Sequence, residues 1–333
     1  MSVIEKAEIK TDQDYILQAK NIKKYFPIKG GVLRKTVGHV KAVDDVSLDV
    51  LRGETLGVVG ESGSGKSTLG RVLLRLLAPT EGQILFENQD ISTLGNRQLR
   101  PIRRDMQIVF QDPYASLNSK MSVQELIEEP LIVQTKLSRA ERRDKAIDLL
   151  EKVGLRPDDR LKYPHEFSGG QRQRISIARA LSLNPKFVIC DEPVSALDVS
   201  IQAQVLNLMA DLQDEFNLTY LFIAHDLSVV KHISDRVAVM YLGRIAEIAP
   251  KKSLYENPLH PYTEALLSSV PSTDVRHKRQ KIILKGDLPS PSNPPTGCAF
   301  RTRCPKAHER CELVRPELTE VGNGHYVACH LYE

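Results

Sequence analysis

The sequence predicts an α/β fold built on a mostly parallel sheet, and three observations carry that prediction. Residues 187–190 (FVIC) and 219–224 (TYLFIA) are continuous apolar runs of strand length, as expected of strands buried on both faces. A helical stretch, residues 202–215, separates them, and strands alternating with helices imply crossover connections. A third short run, residues 56–59, passes directly into a glycine-rich loop and then into a helical pattern. The length of 333 residues suits two domains, or one large domain with an appendage. Hydrophobic residues at 41% and charged residues at 26% are ordinary globular values, which excludes wholesale disorder and collagen-like repeats.

Taken in order, residues 1–14 are polar and read as a flexible tail. Residues 15–50 read as short β segments, interrupted by a Gly- and Lys-rich insert at 29–38 that suits a hairpin or loop. The helix after the glycine-rich loop, LGRVLLRLLAP, is expected to run until Pro79 stops it. Residues 80–110 suggest further short strands around a basic helix near 97–104, and 122–183 are helix-rich. Ser138 and Glu141 form a capping-box pattern, with Gly154 as the C-terminal stop. Two short strands follow within 237–247. Beyond a boundary near 255, Pro, Cys and charge rise, and residues 276–281 are a basic run.

The net charge of +4 is too small to argue for nucleic-acid binding, and 5% aromatics with no Trp disfavour base stacking. No apolar run approaches the roughly 18–20 residues needed to span a bilayer. The N-terminus lacks the cationic start and apolar core of a signal peptide, so a cytoplasmic location is expected.

Gly60, Glu61, Ser62, Gly63, Ser64, Gly65, Lys66 and Ser67 match the phosphate-loop pattern G-x-x-x-x-G-K-[ST] at every position, followed by Thr68. Glycines allow a tight turn whose N–H groups point at phosphate oxygens. Lys66 supplies charge for the β- and γ-phosphates, and the Ser67 hydroxyl can ligate Mg²⁺. A chance glycine-rich loop would lack the strand before it and the helix after it. The 187–190 run delivers Asp191 and Glu192 to the carboxyl edge of the sheet, where ligands of such folds bind. Asp191 can hold Mg²⁺ through water, and Glu192 can polarise an attacking water. Alone, a strand ending in Asp-Glu reads as an ordinary solvated turn; the phosphate loop changes that reading.

Further motifs carry a family resemblance. Phe167, Ser168, Gly169, Gly170 and Gln171 resemble the signature loop of ABC-transporter ATPases. Gln111 within residues 110–113 resembles that family's Q-loop, Asp198 ends its D-loop (residues 195–198), and His225 stands as its switch histidine. The resemblance implies a P-loop ABC-ATPase fold over residues 15–255, with an antiparallel β subdomain and a helical subdomain at about 112–175. It also implies ATP with Mg²⁺ held by Ser67, Gln111 and Asp191, and catalytic roles for Glu192, His225 and Gln111. Two such chains would sandwich ATP head to tail, with Ser168–Gln171 contacting the opposite subunit's nucleotide. In the family an early aromatic residue stacks on adenine: Phe26, with Tyr25 as the alternative. The spacing of 57 residues from Gln111 to Ser168 leaves no room for the long coiled coil of DNA-repair relatives.

Residues 255–263 (YENPLHPYT) resemble the extension of oligopeptide and dipeptide importer ATPases, which makes residues 256–333 that C-terminal region. The implied protein powers a bacterial importer of di- or oligopeptides from the cytoplasmic side of the membrane. Its implied partners are a second ATPase subunit forming a heterodimer, two transmembrane permease subunits and, indirectly, an extracytoplasmic peptide-binding protein. Related importers of nickel or sugars are the alternatives, with a soluble ABC ATPase a remoter one. Cys298, Cys304, Cys311 and Cys329 cluster in the tail, which in a cytosolic chain reads as a metal site rather than disulfides. Their gaps exceed those of typical zinc pairs. Zinc, a 4Fe–4S cluster and unconnected thiols stay open from spacing alone, and His308 and His330 could substitute as ligands. The resemblance implies the 4Fe–4S cluster. Its role is expected to be structural, because a Pro-rich segment of this size has little core of its own, so ligand loss should disorder the tail rather than tune ATP chemistry.

Overall fold

A computed structural model describes residues 14–31, 34–270 and 282–333. The expected N-terminal tail, apart from Asp14, and the basic run at 276–281 lie outside the described residues. The chain begins with an antiparallel hairpin, β1 (Tyr15–Gly30) and β2 (Lys35–Leu51), paired from Tyr15↔Leu51 to Gly30↔Lys35. The expected short segments are therefore two long strands, and the Gly- and Lys-rich insert is the far end of their hairpin. Next come β3 (Thr55–Val59), α1 (Lys66–Leu73), β4 (Glu81–Phe86), β5 (Gln89–Asp90), α2 (Asn96–Asp105) and β6 (Met106–Val109). Helix α1 stops before Pro79: Leu74 caps it, and Arg75 then takes a positive φ of 55° while its Nε donates to the Ile91 carbonyl. The proline does not end the helix; a left-handed residue does.

A helical block follows: α3 (Pro113–Ser116), α4 (Val123–Gln134), α5 (Arg139–Lys152) and α6 (Gly169–Leu181). The Ser138–Glu141 capping box forms as read, and Gly154 turns at φ 72°. Alternation then resumes with β7 (Phe187–Asp191), α7 (Val199–Phe216), β8 (Thr219–Ala224) and α8 (Leu227–Ile233). The chain closes with β9 (Arg236–Tyr241), β10 (Arg244–Pro250), α9 (Lys251–Glu256), α10 (Pro261–Ser268), α11 (Glu309–Leu313), β11 (Thr319–Gly322) and β12 (His325–Val327).

Two sheets result. The first runs β2-β1-β4-β5 and is antiparallel. The second has eight strands in the order β11-β12-β10-β9-β3-β8-β7-β6, parallel from β9 to β6. Side chains of β7 alternate between two cores: Val188 and Cys190 face one, Phe187 and Ile189 the other. That two-sided burial is why these strands read as unbroken apolar runs. The region after 255 is not a detached appendage. Its β12 pairs with β10, placing two tail strands on the main sheet, and Phe300 enters the same core as the parallel strands.

Candidate active site

Gln111, Asp191, His225 and the phosphate loop all stand at or just beyond the carboxyl ends of adjacent parallel strands, respectively β6, β7, β8 and β3. The loop is confined by close backbone approach. A Cβ on Gly65, whose φ is 103°, would meet the Ala42 carbonyl at 2.0 Å, and one on Gly60 would meet the Met240 carbonyl at 2.1 Å. Only glycine fits either place. Lys66 is 4% exposed, and its Nζ donates to the carbonyls of Gly60 (2.8 Å) and Glu61 (3.0 Å). Burial lowers its pKa, opposed by the charges of Glu192 and Asp191. An incoming phosphate therefore meets an ammonium that is already desolvated and aimed by two carbonyls.

The Ser67 hydroxyl donates to Asp191 Oδ1 at 2.7 Å, so the two oxygens expected to serve Mg²⁺ are neighbours. Burial raises the Asp191 pKa, partly offset by the hydrogen bond from Ser67 and by Arg71, which stands 4.0 Å away. A buried carboxylate beside a hydroxyl suits a hard cation taking oxygen ligands. Glu192 adopts a left-handed φ of 49°, with its N–H bonded to the Ile223 carbonyl. Its Oε2 accepts from Gln111 Nε2 at 3.0 Å and lies 3.1 Å from His225 Nδ1. The three residues expected to be catalytic thus meet on one oxygen. That oxygen can orient and deprotonate a water, while the amide and imidazole fix its direction.

The signature residues lie elsewhere. Ser168 caps α6: its Oγ accepts from the Gln171 N–H, and the Gln171 side chain accepts from the Ser168 N–H. Among the described residues, no hydrogen bond joins Ser168, Gly169, Gly170 or Gln171 to the phosphate loop. Asp198 is exposed at the start of α7 and makes no side-chain cap. Of the two aromatic candidates, Tyr25 donates its hydroxyl to Asp44, whereas Phe26 stays 36% exposed with Lys24 Nζ over its ring. Phe26 pairs with Val40, two residues from the Ala42 carbonyl that abuts Gly65.

Residues 43–195 match the ABC transporter family, and residues 246–311 match the oligopeptide/dipeptide transporter C-terminal region. The chain is 60% identical over 324 residues to the oligopeptide transport ATP-binding protein AppF of Bacillus subtilis, covering 96% of this chain and 98% of that one. This chain belongs to the ABC transporter family. It is an ATP hydrolase coupled to transport, for which ATP and Mg²⁺ are the expected ligands. A putative peptide import ATP-binding protein of Brucella ovis is 54% identical over 94% of this chain and 97% of its own length. Among solved structures, the dimeric ATP-binding cassette MJ0796 in a post-hydrolysis state with ADP and Pi is similar at a TM-score of 0.63 and 30% identity, covering 71% of this chain and 98% of that one. No described helix is long and apolar enough to cross a membrane.

The tail touches the phosphate loop and leaves one expectation without support. Two of its side chains reach Glu61: the Glu61 N–H donates to Tyr262 Oη at 2.9 Å, and Arg303 grips the carboxylate at 2.7 and 3.0 Å. Sequence reading missed Arg303, for which no local pattern exists; Tyr262 stood in a recognised motif without an assigned task. Cys298, Cys304, Cys311 and Cys329 are near enough for Cys298 to feel the other three, after burial, in a pKa pushed up to about 11. Among the described residues, however, no group of three or more His, Cys, Asp or Glu side chains is arranged to hold a metal ion. The metal-binding character expected of the tail is therefore unsupported by this geometry.

Proposed function

We propose that this chain is one of two ATPase subunits that drive a bacterial importer of di- or oligopeptides, working on the cytoplasmic side of the membrane against two permease subunits. The observation that carries the reading is the convergence of Gln111 and His225 on Glu192 Oε2, beside Lys66 and the Ser67–Asp191 pair. The match of the tail to the peptide-importer region supports the class of solute. Lys66 and the N–H groups of the loop bind the β- and γ-phosphates, Ser67, Asp191 and Gln111 hold Mg²⁺, and Phe26 stacks on adenine. Glu192 takes the proton of the attacking water, with Gln111 and His225 orienting it. The exposed N-terminus of α6, with Ser168 and Gly169, receives the partner subunit's nucleotide.

In membranes carrying the complete transporter, chain bearing Lys66→Ala should abolish uptake of labelled tripeptide, and the chain should co-purify with two permeases and a different ATPase subunit. Unimpaired peptide uptake by that variant would reject the transport reading. The four cysteines are proposed as ligands of a 4Fe–4S cluster, with zinc as the alternative. Their clustering in sequence and their four-thiolate chemistry support it. Anaerobic purification should yield about four irons per chain, lost in Cys311→Ser. One zinc, or no metal, would discard the cluster.

A further inference from the structure

Every polar group of Glu61 is engaged. Its N–H donates to Tyr262 Oη, its carbonyl accepts from Ser64 N–H (3.1 Å) and Lys66 Nζ (3.0 Å), and its carboxylate is held by both terminal nitrogens of Arg303. The carbonyl that helps aim the phosphate-binding lysine therefore belongs to a residue whose other two contacts come from the C-terminal region, 201 and 242 positions away in sequence. Such a fork-to-fork pair fixes direction as well as distance. The grip is itself anchored. Tyr262 is fully buried and packs edge-on against Tyr241, at 4.7 Å between centroids, and at a tilt against Phe300, at 5.4 Å. The Arg303 side chain is only 10% exposed and lies over the Tyr241 ring.

The turn that presents Tyr262 is tied to the main sheet. Glu247 on β10, 0% exposed, accepts from the N–H groups of Leu259 and His260 and lies 2.6 Å from His325 Nε2 of β12. His260 Nδ1 in turn accepts from the Tyr262 N–H and caps α10. A second stretch of the tail also borders the loop: Leu288 would be the neighbour of a Cβ on Gly63, at 3.9 Å, and the Pro291 carbonyl accepts from Lys41 N–H.

We infer that Arg303 and Tyr262 are positioning residues for ATP binding: through Glu61 they hold the phosphate loop in the shape that aims Lys66, so that the folded C-terminal region sets nucleotide affinity. The inference rests on the ATPase reading but goes beyond it, because it gives the His-Pro-Tyr turn and Arg303 a task in the nucleotide site.

The test uses the full-length chain, a fluorescent ATP analogue for the dissociation constant, and steady-state ATP hydrolysis in the assembled transporter. Arg303→Ala and Glu61→Gln should each raise Kd and KM for ATP about 5- to 20-fold with little change in kcat, and the double variant should be no worse than either alone, as for two halves of one contact. Arg303→Lys should recover part of the affinity, since it restores charge without the fork. Tyr262→Phe removes a single hydroxyl from a packed ring and should weaken binding several-fold even if Arg303→Ala disturbs folding. Unchanged Kd in Arg303→Ala and Tyr262→Phe at an unchanged melting temperature would overturn the inference, as would effects that simply add in the double variant. Wild-type chain that binds no ATP analogue would overturn the ATPase reading as well, whereas binding that ignores both substitutions overturns this inference alone.

Discussion

The phosphate loop has two sides, and they are built differently. Toward the sheet stand Lys66, Ser67 and Asp191, with Glu192 next in the chain; toward the tail stand Tyr262 and Arg303, both on Glu61. The sheet side consists of groups at the carboxyl ends of neighbouring parallel strands, or, like Lys66 and Ser67, in the first turn of the helix that follows one. The tail side depends on a turn held by the buried Glu247 and on one aromatic cluster. In the proposed function the first does the chemistry, and the second sets the shape in which that chemistry is available. The contrast teaches that a phosphate loop with a complete motif can still take its conformation from residues outside the motif.

The largest expected effect lies on the sheet side. Glu192→Gln should lower kcat by about two orders of magnitude or more, the scale of a lost general base, while ATP still binds and the closed dimer persists. Turnover near the wild-type rate would remove Glu192 from this role and blur the division between the two sides. A smaller effect of another kind is expected from Phe300→Ala. Emptying a fully packed ring site costs about 3–5 kcal/mol, here spent on the cluster that seats Tyr262. Hydrogen exchange should quicken in α10 and β12 while β3 and β8 stay protected, and KM for ATP should rise more than kcat falls. If all four elements loosened together, tail and core would be one cooperative unit and the comparison would lose its meaning.

The smallest effect concerns pH. Burial lowers the pKa of His260 to about 4, against the opposing charge of Glu247. Its Nδ1 accepts a backbone N–H, a role that a protonated ring cannot fill. Because the folded-state pKa lies below the unfolded value, the stabilisation is complete above about pH 6.5 and declines as pH falls toward 4. His260→Asn keeps a capping acceptor but removes this titration, so its melting temperature should fall less steeply between pH 6.5 and 4.5. An equal slope in both proteins would place the dependence elsewhere.

The parallel strands were legible because burial on both faces forces continuous apolar text, and the phosphate loop because its glycines are required by backbone contacts of 2.0–2.1 Å. The order of Gln111, Ser168, Asp191, Glu192 and His225 was readable too, since each sits at a strand end or helix start with its own short pattern. The end of α1 was misplaced because Pro79 is a visible breaker, whereas the positive φ at Arg75 is stabilised by hydrogen bonds to distant carbonyls at Ile91 and Leu94. How the tail joins the main sheet was not legible, for a related reason. Strand β12 is three residues long and carries little pattern, and its place is decided by pairing with β10, about 80 residues earlier. By itself the sequence determined which groups are proposed to meet ATP, because they are local to regular elements. Only the tertiary structure decided what holds Glu61, because an arginine gains its meaning from the carboxylate that folding places within 3 Å of it, and no spacing in the chain records that encounter.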